Sequence, residues 1–183
     1  MRKLLLVFGA VLLTGFLPSA AHAQVEIFGG YSYMRPSITY TEACPGPVCP
    51  VVTTHPNFNG WELTGVLTHH WIGLAADLSG EYGTAAGVST HINTYLFGPQ
   101  LRLPGPVSPF AHVLVGIADQ KFGSTFVLPS SRSSIAAAAG AGIDIHVAPF
   151  ISFRPIQLDY IVTRFGSGTQ SQPRASAGLV LHF

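Results

Sequence analysis

Charge is scarce in this chain. Asp, Glu, Lys and Arg make up 9% of its 183 residues, against roughly 25% in soluble globular proteins. What charge there is nearly cancels, and two of the nine basic residues, Arg2 and Lys3, fall in the first three positions. Without them seven basic residues face eight acidic ones, so nothing points to nucleic acid as a partner or to electrostatic docking on acidic lipid. Long apolar runs are also missing after Ala23. No stretch there approaches eighteen consecutive apolar residues, which rules out a spanning helix. Cysteine is limited to Cys44 and Cys49, in the segment CPGPVC. Two thiols lack the further ligands of a closed zinc site, with His55 the only nearby candidate. A small structural disulfide is the expectation, given an exported chain.

Export is read from the amino end. Arg2 and Lys3 precede an almost unbroken apolar run from Leu4 to Leu17, Pro18 and Ser19 break it, and Ala21-His22-Ala23 offers small residues where a signal peptidase reads. The run is shorter than the roughly 20 residues of a membrane helix. Residues 1–23 are therefore expected to be a cleaved signal peptide, and 24–183, beginning at Gln24, one domain.

What that domain has in abundance is alternation. Eight segments put apolar residues on one parity and small or polar residues on the other, at about 25–34, 58–68, 72–82, 92–103, 109–122, 134–147, 150–165 and 174–183. In the third, Ile72, Leu74, Ala76, Leu78 and Tyr82 oppose Gly73, Ala75, Asp77, Ser79 and Glu81. In the sixth, Ala136 to Ala139 suit a helix on propensity, but Gly140, Gly142 and the flanking pattern favour a strand. In the seventh the apolar parity changes between Phe153 and Ile156. A one-residue slip turns every side chain to the other face, so a bulge at Pro155 is expected, which would aim Arg154, Gln157 and Asp159 to the same side. Connectors are expected to alternate: tight at 69–71, 104–106 and 148–149, long at 35–57, 83–90, 123–133 and 166–173. Each segment is near the length of a tilted membrane-spanning strand, and in hydrocarbon only helices and closed barrels satisfy the backbone.

The chain closes on Ser176, Gly178, Leu181 and Phe183, a polar, glycine, hydrophobic and aromatic series at spacings that resemble the assembly signal of bacterial outer-membrane β-barrels. With the signal peptide, strand count and connector rhythm, residues 24–183 resemble the small barrels related to the membrane domain of outer-membrane protein A. The resemblance implies an all-β, eight-stranded antiparallel up-and-down transmembrane barrel in the bacterial outer membrane, with both termini periplasmic. It implies lipids and lipopolysaccharide as surroundings, periplasmic chaperones and the barrel-assembly machinery as partners, and a monomer. No peptidoglycan-binding segment follows the barrel, so wall anchoring is not expected. The soluble alternative, a lipocalin-like barrel, would need the larger apolar side chains to fill the lumen; here charge mostly opposes the apolar row.

Eight strands leave a lumen that side chains fill. Glu26, Glu62, Asp77, Glu81, Arg102, Asp144, Arg154, Asp159 and Arg174 take the inward parity and are expected to form a buried polar network. A narrow ion path through exchange of these partners is the second reading. His112, His146 and His182 share that parity and are expected in the polar core; no metal or cofactor is expected. For catalysis, no His-x-Ser pair and no Gly-x-Ser-x-Gly elbow occurs, so no catalytic residue is assigned and an enzyme, such as one acting on lipid A, is not expected. Ser and His on different strands could still meet. The leading expectation is a non-enzymatic barrel with a structural or surface-interaction role.

Overall fold

A computed structural model describes residues 23–41, 50–85, 88–123, 130–165 and 168–183. Ten strands follow one another: β1 (Ala23–Met34), β2 (Ile38–Thr41), β3 (Val51–Thr54), β4 (Phe58–His69), β5 (Ile72–Ala85), β6 (Val88–Arg102), β7 (Val107–Gly123), β8 (Ser130–Ala148), β9 (Ile151–Phe165) and β10 (Gly168–His182). Eight close into an antiparallel barrel in which each pairs with its sequence neighbour and β1 seals the wall against both β4 and β10. The strands β2 and β3 form a separate hairpin within the first long connector, which alternation alone did not reveal.

Alternation sets the two faces. Every second residue points into the barrel, so Glu62, Thr64, Val66 and Thr68 of β4 are buried while Trp61, Leu63 and Leu67 are exposed. The exposed row is apolar all round: Leu74 and Leu78 on β5, Phe97 and Leu101 on β6, Val113 and Val115 on β7, Ile143 on β8, Leu158 on β9, Leu179 on β10. Aromatics flank it, with Tyr31, Trp61 and Tyr82 toward one end and Trp71, Phe150 and Phe183 at the other.

At one end lie Ala23, Phe183 and the tight turns around residues 70–71, 103–106 and 149–150; this is the turn end. His70 has φ of 60° in the first of these turns. The opposite, loop end differs from the expected connector lengths. The ladders continue to Ala85↔Val88, Phe122↔Ser130 and Phe165↔Gly168, so the strands run past the apolar row and shorten three of the four connectors expected to be long. The extensions are rich in Ser, Thr and Gly. Backbone pairing continues there without an alternating apolar row, so a hydropathy pattern ends before the strand does.

The bulge in β9 lies at the expected place. Arg154 and Gln157, three residues apart, face Gly178 and Ser176 on β10, two apart; on the other side Phe153 and Ile156 face Ile145 and Ile143 of β8. Arg154, Gln157 and Asp159 are buried, whereas Phe153, Ile156 and Leu158 are exposed. Pro155, half-buried and without an N–H to donate, occupies the extra position. The poly-alanine run Ala136 to Ala139 is strand, paired to both β7 and β9.

Candidate functional site: the polar lumen

The nine ionisable residues named for the inward parity are all buried in the lumen. Two arginines organise them. Arg154 donates from Nε and Nη2 to the two oxygens of Asp144 at 2.6 and 3.0 Å, and from Nη1 to Gln157 Oε1 at 2.6 Å. Its guanidinium lies between two phenyl rings, 4.3 Å from the centroid of Phe28 and 4.1 Å from that of Phe110. The faces of those rings are the negative ends of their quadrupoles, so the cation is held above and below as well as in its plane. Arg174 donates to Asp77 at 3.2 and 3.0 Å and to Asp159 Oδ2 at 3.1 and 2.9 Å, with Glu62 at 3.5 Å.

Neutral side chains join the two clusters. The Gln157 amide donates to Glu62 Oε1 at 2.7 Å and to Asp159 Oδ2 at 2.8 Å, so it bridges the Arg154 and Arg174 groups. The Thr64 hydroxyl lies within hydrogen-bond reach of both Glu62 and Asp77 and donates its single proton to one of them, and Ser176 donates to Glu62. His112 Nε2 meets Asp159 Oδ1 at 2.7 Å. Further toward the loop end Glu81 accepts from Ser32 at 3.0 Å. Toward the turn end Arg102 pairs with Glu26 and reaches Asp144 at 3.5 Å. Buried charge is tolerated when it is paired and its remaining lone pairs and protons are satisfied. Gly140 leaves room for the His112–Asp159 contact, because a Cβ there would run into both side chains.

The lumen is not polar throughout. Met34, Phe58, Ile92, Leu96, Leu114 and Ile161 belong to a buried apolar cluster that includes much of the loop-end interior. These residues sit on the same inward parity as the charges, and that parity was the signal that could have found them. The lumen is thus filled by side chains, the apolar ones interleaved toward the loop end with buried Ser32, Glu81, Thr90 and Gln120. A cavity of about 240 Å³ remains at the turn end, lined among others by Glu26, Thr68, Arg102, His146 and His182.

Of the terminal series, Ser176 is inward and buried, Gly178 faces Gly30 where a side chain would strike the backbone of β1, and Leu181 and Phe183 point outward. Phe183 still pairs with the first strand: its N–H donates to Val25 O at 2.8 Å and its carbonyl accepts from Val25 N at 3.2 Å. Ala23 opens β1 and Gln24 is exposed at the turn end. Ala21, Cys44 and Cys49 lie outside the described residues. His55 Nδ1 is 3.2 Å from Ser37 Oγ. Two residues that no motif linked do meet: Ser152 Oγ is 2.7 Å from His182 Nε2.

Comparison with known proteins rests on this architecture, since no family model and no curated protein matches the sequence. Among solved structures, Neisserial surface protein A superposes with a TM-score of 0.69 at 10% identity, covering 87% of this chain and 97% of that one. Ail, the attachment invasion locus protein of Yersinia pestis, solved in complex with the heparin analogue sucrose octasulfate, superposes with a TM-score of 0.58 at 18% identity, covering 88% and 99%. The chain has the fold of these two barrels. Almost the whole length of each is spanned by the match.

Proposed function

We propose that this chain is an integral barrel of a bacterial outer membrane, closed to ions by its own side chains, and acting structurally or through its loop end as an interaction surface. One observation carries the reading: the packing is inside-out relative to a soluble protein. The paired arginines and carboxylates occupy the interior, while Leu, Val, Ile and Phe form the exposed row between aromatic flanks. In water that exterior would be a large aggregation-prone patch; in hydrocarbon it is the favourable surface. A lipocalin-like barrel has the reverse arrangement.

In this reading residues 1–23 are removed on export, Gln24 and Phe183 lie on the periplasmic side, and assembly proceeds through periplasmic chaperones and the barrel-assembly machinery. The loop end then faces lipopolysaccharide and the exterior. Exposed Arg35, Lys121, Arg132 and Arg164, together with half-buried Asp119, lie toward this end, clear of the apolar row. Two surface barrels of the same fold support an outward-facing role.

The test is planar-bilayer conductance of the refolded mature chain, on material whose gel mobility shifts on heating. Silence is expected, because side chains fill the lumen of a barrel of eight strands, here Arg154 with its two phenyl rings and the buried apolar cluster. Reproducible small steps that change with substitution of Arg102 or Glu62 would make the network a conduction path and overturn the closed-lumen reading.

A further inference from the structure

The barrel brings Ser152 of β9, His182 of β10 and Glu26 of β1 together at the turn end. Ser152 Oγ is 2.7 Å from His182 Nε2, and the other ring nitrogen, Nδ1, is 3.6 Å from Glu26 Oε1. Hydroxyl, imidazole and carboxylate thus stand in the order that activates a serine, each ring nitrogen facing the group that order requires. We propose that these three residues form a hydrolytic relay acting on small, short-chain esters admitted from the turn end.

The surroundings fit that chemistry. Glu26 and His182 line the turn-end cavity of about 240 Å³. Arg102 lines it too, largely buried, its terminal nitrogens ion-paired with Asp144 and with Glu26 Oε1, the same oxygen that faces His182. In the relay its remaining N–H protons would donate to an oxyanion developing in the cavity. Arg154, Phe28 and Phe110 close the lumen above, which limits the substrate to a short acyl group. Ser152 is fully buried, and its strand neighbour His146, exposed at the mouth, stacks on His182 with centroids 5.1 Å apart. Ser152 does not itself line the cavity, so admission of the ester requires the His146 ring to swing outward.

In the reaction Ser152 Oγ bonds to the carbonyl carbon while its proton passes to His182 Nε2, and the carbonyl π pair moves onto oxygen beside Arg102. Collapse of that oxyanion breaks the ester C–O bond, and the leaving alkoxide takes the proton from His182. A water molecule then gives a proton to Nε2 and attacks the acyl-serine. Ser152 Oγ leaves with that proton, releasing the carboxylic acid. Glu26 stabilises the transient imidazolium.

The experiment uses the refolded mature chain in detergent, with heat-shifted gel mobility verifying the barrel in every sample. It is treated with a small alkyl fluorophosphonate, which would phosphonylate the serine with loss of fluoride, and separately with p-nitrophenyl acetate. The expected result is a mass gain on the Ser152 peptide, and ester hydrolysis that falls about 100-fold or more in Ser152→Ala. His182→Gln should lose the labelling, and Glu26→Gln should weaken it. Ser152→Cys reports access directly, through alkylation of the peptide carrying the substitution by iodoacetamide in the folded barrel. Three results would each overturn the relay: a folded wild-type barrel that takes no label at Ser152, equal hydrolysis in Ser152→Ala, or a folded Ser152→Cys variant whose new thiol no reagent reaches. The Ser152–His182 hydrogen bond would then be a structural contact only. Because mobility is read in the same samples, failure of the relay is distinguishable from failure of the barrel reading.

Discussion

Removing the Arg154 guanidinium while keeping its bulk tests whether the lumen is held together by paired charge. In Arg154→Met, Asp144 keeps, among the described residues, only the contact with Arg102 at 3.5 Å and loses two charge-assisted hydrogen bonds of 2.6 and 3.0 Å. Stripping one partner from a buried ion pair costs about 3–5 kcal/mol, since the other charge is left uncompensated. Losing the cation between Phe28 and Phe110 adds roughly 0.5–2 kcal/mol per ring, and a thioether against the same rings returns about 0.3–1.5 kcal/mol for each contact made. The net expectation is a loss of about 3–5 kcal/mol. Restoring neutrality with a second change, Asp144→Leu, should recover most of it, because replacing a whole buried pair by apolar residues is often neutral or better.

The assay is reversible urea unfolding in lipid vesicles, followed by the fluorescence of Trp61 and Trp71. These are the chain's two tryptophans, and both lie on the outer face, where their emission reports insertion. A single mutant within about 1 kcal/mol of wild type would refute the reasoning, being below the lower bound for an orphaned buried charge. So would a double mutant less stable than the single, since the energy would then reside in the packing of Arg154 alone.

Three further outcomes follow from the same geometry. Leu158→Arg, on the outer face of β9, should destabilise the inserted barrel by about 2–4 kcal/mol in vesicle unfolding if it sits near the bilayer midplane; a change near zero would contradict a lipid-facing row. Gly140→Ala should cost about 1–3 kcal/mol by forcing apart His112 and Asp159, measured in the same assay, and an unchanged midpoint would show that the contact yields freely. Phe183→Ser should lower the amount of heat-shiftable barrel recovered from cell membranes, and normal recovery would count against the terminal series as an assembly signal.

Much of the wall was legible because a strand in two solvents writes both in its sequence. The change of parity between Phe153 and Ile156 was enough to locate the bulge, since each residue in β9 has only two faces to choose from. The strand ends were less legible: Ser131, Ser133, Thr169 and Ser171 carry no contrast between faces, yet their backbones remain paired. The hairpin of β2 and β3 has the same origin, being a short pairing outside the apolar row where side chains need not alternate in polarity. Inside the lumen, parity identified which residues point inward but not which meet. Gln157 bridging Glu62 across 95 residues, or Ser152 reaching His182, depends on stagger between strands that no single strand encodes.

That stagger explains why the interior takes the form it does. When the exterior is lipid, moving Leu or Phe from outside to inside gains little, because both environments are apolar. Interior side chains are then selected by what lipid would reject, and paired arginines and carboxylates meet that condition while also fixing register. The bulge at Pro155 is central to this arrangement. Without the extra residue, Arg154 and the pair Gln157 and Asp159 would face opposite sides, and one set of polar groups would be turned toward hydrocarbon. The buried apolar cluster toward the loop end needs a different reason, since burial there gains nothing over lipid contact. A polar cavity opens at the turn end, beside Glu26, His146 and His182.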